Sequence, residues 1–184
     1  MSPKFNLLAA VVFLFASFPQ AASSQERPFY FSLSGGIAEY VGDGSEFIDT
    51  GGTVILGLGG EVSPNVALEV EFGGAWAAVD VFGFTGTAAT YAVIFGPRFF
   101  TSRSVENRLG AHIGGGIGYS SSEAEIAGFS VVDSGFAWEA KVGLDYSLSE
   151  AVQLVADVRY GALAEFPDEG VGAVTIGFRF YPAF

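Results

Sequence analysis

Few residues in this sequence could do covalent chemistry. His112 is the only histidine and cysteine is absent, which excludes thiolate nucleophiles, disulfides and thiolate metal sites. Catalysis through a histidine needs a nucleophile within reach and a third group to orient the ring, whereas His112 is followed by Gly114, Gly115 and Gly116. It reads instead as one member of a hydrogen-bonded network on the polar face of a strand. The run GGGIG (114–118) lacks the lysine and the following helix of a phosphate loop, so close strand packing accounts for it. SSSEAE (120–125) supplies serines and carboxylates in a stretch read as a loop, where such residues are ordinary. No catalytic residue, metal site or cofactor is expected.

The elements that position these groups are short. Half of the residues are apolar, with 19 Phe and 26 Gly, yet after residue 24 no apolar run is long enough for a membrane helix. Read in steps of two, the chain holds eight segments of alternating character, each of roughly ten residues and separated by turn chemistry. One sets Val66, Leu68, Val70 and Phe72 against Glu69 and Glu71; another sets Trp138, Ala140, Val142, Leu144 and Tyr146 against Glu139, Lys141 and Asp145. The connections SPN (63–65), TSRSVE (101–106) and SLSE (147–150) are short, and those after the first, third, fifth and seventh segments are read as longer. An up-and-down antiparallel barrel with short turns on one rim and long loops on the other accounts for that asymmetry. Before the segments come Lys4, the apolar run Leu7–Phe18, Pro19 and small residues. This is the order of a secretory signal peptide. Cleavage after Ala22 or Ser24 would leave residues 25–184 as one domain outside the cytoplasm.

Charge placement predicts which face is inside. Glu61, Glu69, Glu71, Arg98, Arg108, His112, Glu139, Lys141, Asp145, Asp157, Arg159 and Arg179 share the polar faces of the segments, with signs nearly balanced. A closed interior favours paired charges, and water imposes no such balance. The apolar faces carry more large side chains than the interior of eight strands can hold, so they are expected to meet lipid. Trp76, Tyr91, Tyr119, Trp138 and Tyr160 fall toward the long-loop rim, and Phe29, Phe31, Phe99, Tyr146 and Phe180 toward the other, as interfacial girdles do. Opposite charges also suggest a register. With Tyr146 opposite Val152, Lys141 faces Asp157 and Glu139 faces Arg159, whereas a slip of two sets Lys141 against Arg159. Likewise, pairing Val62 with Val66 puts Gly59 opposite Glu69 and Gly57 opposite Glu71, giving the long side chains clearance.

The eight-segment pattern, the turn and strand SPNVALEVEFGG and the terminal GFRFYPAF resemble the small outer-membrane β-barrels of Gram-negative bacteria. That group includes the transmembrane domain of outer-membrane protein A and the opacity-type surface proteins. The resemblance implies an all-β fold, an eight-stranded antiparallel up-and-down transmembrane β-barrel, located in the cell outer membrane among its lipid and lipopolysaccharide. It also implies an assembly signal read by the barrel-assembly machinery, for which Phe178, Phe180 and Phe184 keep the spacing. Pro182 interrupts the alternation, so the last strand is expected to end near Phe180. The peptidoglycan-binding domain of outer-membrane protein A is not expected after residue 184. Lipid A deacylases on similar barrels pair a strand histidine with a serine two positions later, and here that position is Gly114.

The expected function follows from these features: an outer-membrane barrel with a charge-plugged lumen and acidic extracellular loops, in a structural or surface-interaction role. Asp43, Glu46, Asp49, Asp80, Glu123, Glu125, Asp133, Glu165, Asp168 and Glu169 occupy the long loops without a lysine or arginine among them. Solvation explains acidic loops; the sharper reading is divalent cations bridging to lipopolysaccharide phosphates, or a basic surface partner. The formal net charge of −12 argues against nucleic acid. The alternative is a narrow small-solute pore, and behind it stand a lipid A-modifying enzyme and a secreted lipocalin-like binder.

Overall fold

The computed structural model describes residues 29–43, 45–101, 108–165 and 169–182; the expected signal peptide and Phe184 lie outside them. The strands are β1 (Phe29–Val41), β2 (Gly51–Ser63), β3 (Val66–Val81), β4 (Phe84–Phe100), β5 (Leu109–Ile126), β6 (Phe129–Ser147), β7 (Val152–Leu163) and β8 (Gly170–Phe180), with a single turn of 3₁₀ helix at Ser45–Phe47. Each pairs antiparallel with its neighbour in the chain, and β1 pairs with β8 to close the barrel. Closure leaves the transmembrane sheet no unpaired edge, which a lipid environment demands of strands. β8 ends at Phe180, before Pro182, because proline cannot donate to the ladder.

The alternation resolves as the charges predict. Arg179 is 0 % exposed in the lumen while its strand neighbours Ile176 and Phe178 are 59 % and 44 % exposed on the outer wall. Leu33, Leu56, Ile113, Ile117, Val142, Leu144 and Val158 are likewise exposed outside. An apolar coat of this extent is stable only against lipid.

Two features of the connections depart from the sequence reading. The links after β3 and β5 are not long loops but two-residue hairpins, Phe82–Gly83 and Ala127–Gly128, with positive φ at both positions (53° and 85°; 51° and 84°). These are type I′ turns, whose twist suits a hairpin. The strands they join run on for 16 to 19 residues, well past the roughly 9–11 needed to cross a bilayer. SSSEAE therefore lies in β5 rather than in a loop. Beyond the membrane edge both sheet faces are wet, so no apolar alternation marks these residues, and backbone pairing alone makes them strand.

Candidate functional site in the barrel lumen

At mid-height the lumen is filled by a charge network. From β3, Glu69 accepts hydrogen bonds from Arg98 Nε at 2.9 Å, Lys141 Nζ at 2.8 Å and the Tyr30 hydroxyl. Glu71 accepts from Lys141 Nζ at 2.6 Å and from Arg159 Nη1 at 3.3 Å. Arg159 also reaches Asp157 at 3.0 Å and Glu139 at 3.3 Å, so one guanidinium serves three carboxylates. Arg98 Nη2 lies 3.8 Å from Asp157 and 3.9 Å from Glu71. His112 bridges two carboxylates, with Nδ1 2.8 Å from Asp145 and Nε2 2.5 Å from Asp157. His112 on β5 reaches Asp157 on β7 across Gly143 of the intervening β6. A Cβ there would lie 2.3 Å from Asp157 Oδ1 and 2.7 Å from His112 Cε1.

Toward the short-turn rim the network passes into an aromatic seal. Arg179 donates to Asp145 at 2.9 Å and to Gln153 at 3.1 Å. Its guanidinium carbon sits 4.8 Å from the Tyr30 ring centroid and 5.4 Å from that of Phe100, within cation–π range. Tyr30, Phe100, Tyr181 and Ala67 form a buried cluster, and the Tyr181 hydroxyl donates to Gln153 at 3.3 Å. Sequence reasoning missed this seal as a unit. Parity held the signal: Phe100 and Tyr181 stand two residues from the inward Arg98 and Arg179.

Above the network the lumen is open. A cavity of about 450 Å³ extends from a floor of Glu71, Glu139 and Arg159 to the long-loop rim. Its walls are small or apolar, among them Ile55, Ala75, Ala88 and Ala137, with the paired hydroxyls of Thr90 and Ser122 at 2.9 Å.

The predicted network residues do not all meet. Glu69, Glu71, Arg98, His112, Lys141, Asp145, Asp157, Arg159 and Arg179 are buried in the lumen, and Glu139 is half-buried at its upper margin. Glu61 is half-buried near the end of β2, beside an irregularity in the β2–β3 register at Glu61/Ser63. Arg108 is exposed on the short-turn rim. It precedes β5, so no pleat aims it inward.

The expected register of β6 and β7 is overturned. Tyr146 pairs with Leu154 rather than Val152, Lys141 faces Arg159, Gly143 faces Asp157, and Glu139 faces Gly161. The charges are instead satisfied across the lumen: Lys141 turns to β3, and Arg159 takes Glu139 diagonally. In so narrow a barrel the opposite wall is within reach of a long side chain, so adjacent-strand pairing does not govern the charges. For β2 and β3, Gly57 does face Glu71 and Gly59 does face Glu69, but Val66 pairs with Ser63 rather than Val62. The clearance at Gly59 serves Tyr30 of β1, whose ring would lie 2.3 Å from a Cβ, and that at Gly57 serves Ser32.

On the outer wall, Trp76, Tyr91, Tyr119 and Tyr146 are exposed, and Trp138, Tyr160 and Phe180 are half-buried against neighbours. Trp138 and Tyr160 pack at 5.6 Å and Phe31 stacks on Phe180 at 4.9 Å. Phe178, of the expected assembly signal, faces outward below Ile176.

A closed barrel with an apolar outer wall, aromatic side chains at two levels and charges buried inside is an outer-membrane β-barrel. The chain belongs to the outer membrane protein beta-barrel domain family, whose model matches residues 7–180. Three solved structures share its fold. Neisserial surface protein A superposes with a TM-score of 0.69 at 13% identity, over 84% of this chain and 97% of that one. Ail, the attachment invasion locus protein of Yersinia pestis, gives 0.58 at 18%, over 83% and 99%. The N-terminal β-barrel domain of Pseudomonas aeruginosa OprF gives 0.50 at 12%, over 82% and 96%. No curated protein sequence matches significantly.

Proposed function

We propose that this protein acts as a sealed barrel whose work is done at the cell surface, in a structural or surface-interaction role. The observation that carries the reading is the connected network of side chains that crosses the lower lumen. Tyr30, Phe100 and Tyr181 lead into Arg179, Asp145 and His112, and these into the Glu69/Glu71/Arg98/Lys141/Arg159 cluster. Burying so many charges carries a desolvation cost of several kcal/mol per ion, offset only while every partner stays in place. A plug held on those terms resists the partial opening that ion passage requires. Planar-bilayer recording of the refolded full chain tests it: wild type should give no regular conductance steps. Reproducible single-channel steps would favour the narrow pore.

The rim supports a cationic partner. Asp43, Glu46, Asp49, Asp80, Glu123, Glu125, Asp133, Glu165 and Glu169 are exposed there, and Asp168 lies outside the described residues. Ail has been solved with the heparin analogue sucrose octasulfate; an acidic rim would repel such a polyanion, which makes a basic surface the better complement here. Among the described residues no three carboxylates are grouped to hold a metal ion. Calcium or magnesium would therefore need lipopolysaccharide phosphates to complete its oxygen shell. Loop protection from protease that is identical with and without calcium would remove the cation version. Insertion by the barrel-assembly machinery through Phe178, Phe180 and Phe184 belongs to the same reading.

His112 carries no catalytic role in this reading. Its side chain is 0 % exposed and both ring nitrogens are taken by carboxylates, which leaves neither a free base nor access for substrate. Unchanged lipid A mass on a deletion strain is the expected result.

A further inference from the structure

The upper half of the lumen is built unlike the lower half. Below, charged and aromatic side chains meet across the lumen; above, the strands turn Ile55, Ala75, Ala88, Ala137 and Ala173 inward and leave a cavity of about 450 Å³. That lies in the ~300–1,000 Å³ range of small-molecule sites, which pair apolar walls with a few polar groups. The charges around it are one-sided. Five carboxylates line it, Glu71 and Glu139 at the floor and Asp43, Asp133 and Glu169 toward the rim, against the single guanidinium of Arg159.

Within the floor, Glu139 is the carboxylate least provided for. Its side chain is 14 % exposed where those of Glu69, Glu71, Asp145 and Asp157 are 3–7 %. Its ion pair is with Arg159 Nη1, which lies at a long 3.4 and 3.3 Å from its two oxygens and belongs to a guanidinium that also serves Glu71 and Asp157. The Glu71 carboxylate, by contrast, holds Lys141 at 2.6 Å. A carboxylate oxygen accepts more than one hydrogen bond, so Glu139 has acceptor capacity turned toward the cavity.

We propose that this cavity is a binding cup for a small amphipathic organic cation, a molecule with one ammonium group and a compact apolar body. The ammonium enters through the acidic rim, descends to Glu139 and gives it the charge-assisted hydrogen bond that Arg159 only partly supplies. The apolar body lies against the alanine and isoleucine wall, with the Thr90 and Ser122 hydroxyls beside it. An organic anion meets five carboxylates and is rejected; an inorganic cation gains nothing from the apolar wall. The inference is independent of what the outer rim contacts and of whether the lower seal ever conducts.

The test uses the full chain in nanodiscs of zwitterionic lipid, with phenethylammonium as probe and phenylacetate and phenethyl alcohol as matched controls. Binding is read by titration calorimetry against empty nanodiscs. Saturable binding of phenethylammonium at one site per barrel is expected, with phenylacetate silent and the alcohol at least tenfold weaker. Glu139→Gln, which keeps the shape and removes the charge, should weaken the cation about tenfold or more, as loss of a charge-assisted contact does. Ala88→Phe, which fills the cup from β4, should abolish binding while the unboiled gel shift of a folded barrel persists. Equal binding of phenylacetate, or no saturable binding of the cation, overturns the proposal. So does cation affinity unchanged in Ala88→Phe, which would place the ligand on the outer rim. Should Glu139→Gln fail to fold, the charge series on wild type and Ala88→Phe still decide.

Discussion

Lys141 tests the register and the cross-lumen pairing together. Its Nζ sits 2.8 Å from Glu69 and 2.6 Å from Glu71, and all three side chains are buried. Lys141→Met keeps the volume and removes the charge, leaving Glu71 with Arg159 at 3.3 Å and Arg98 at 3.9 Å. Removing one partner of a buried pair costs about 3–5 kcal/mol. The lower end applies here, since Glu69 keeps Arg98 at 2.9 Å and the Tyr30 hydroxyl. Adding Glu71→Gln removes the uncompensated charge and should restore on the order of 1–3 kcal/mol, the size of coupling found for contacting pairs. Asp157→Asn in the same background should couple more weakly than Glu71→Gln, because Lys141 reaches Asp157 only through Arg98 and Arg159, which Asp157 shares with Glu71. The assay is reversible urea unfolding from lipid vesicles, followed by the fluorescence of Trp76 and Trp138 and checked by unboiled gel mobility. A coupling of Lys141 to Asp157 larger than its coupling to Glu71 would refute the reasoning and restore the pairing read from opposite charges alone.

Because the sequence has no cysteine, paired substitutions give a clean second reading of register. Val142→Cys with Val158→Cys, which face each other, should crosslink readily, and Val142→Cys with Ala156→Cys should not; the reverse would shift β7 by two. Gly143→Ala places a methyl 2.3 Å from both the Ala156 carbonyl and Asp157 Oδ1. It should lower stability by roughly 1–3 kcal/mol in the same urea assay, as overpacking does, and an unchanged midpoint would contradict the His112–Asp157 geometry. The outer rim carries glutamates but no lysine or arginine, so intact cells should resist trypsin and be cut by a glutamate-specific protease. Trypsin should cleave after the exposed Arg108 only once the outer membrane is permeabilised, and cleavage of intact cells there would invert the topology.

How much of this was legible beforehand depends on how local the determining physics is. Strand identity and facing follow from a period-two pattern, so β7 could be read from Val152, Leu154 and Val158 against Gln153, Asp157 and Arg159. Where that pattern lapses, the reading lapses: residues 120–126 and 129–135 lie past the lipid, both faces are wet, and SSSEAE looks like loop although it pairs residue by residue with β6. The hairpins at Phe82–Gly83 and Ala127–Gly128 each show only one glycine and no asparagine or aspartate, so the turn type was hard to recognise.

Sequence by itself determined the fold class, the lipid-facing and inward faces, and the membership of most of the lumen network, because each depends on alternation along a single strand. Only the tertiary structure decided who pairs with whom. Closure brings β3 within reach of β6 and β7, so Lys141 finds Glu69 and Glu71, and Asp157 finds His112 over Gly143. It also gathers Tyr30, Phe100 and Tyr181 from the two ends of the chain and its middle into one seal, and leaves the small side chains of the upper strands facing a common space. Those relations are distances across a lumen, and no pattern along one strand encodes them.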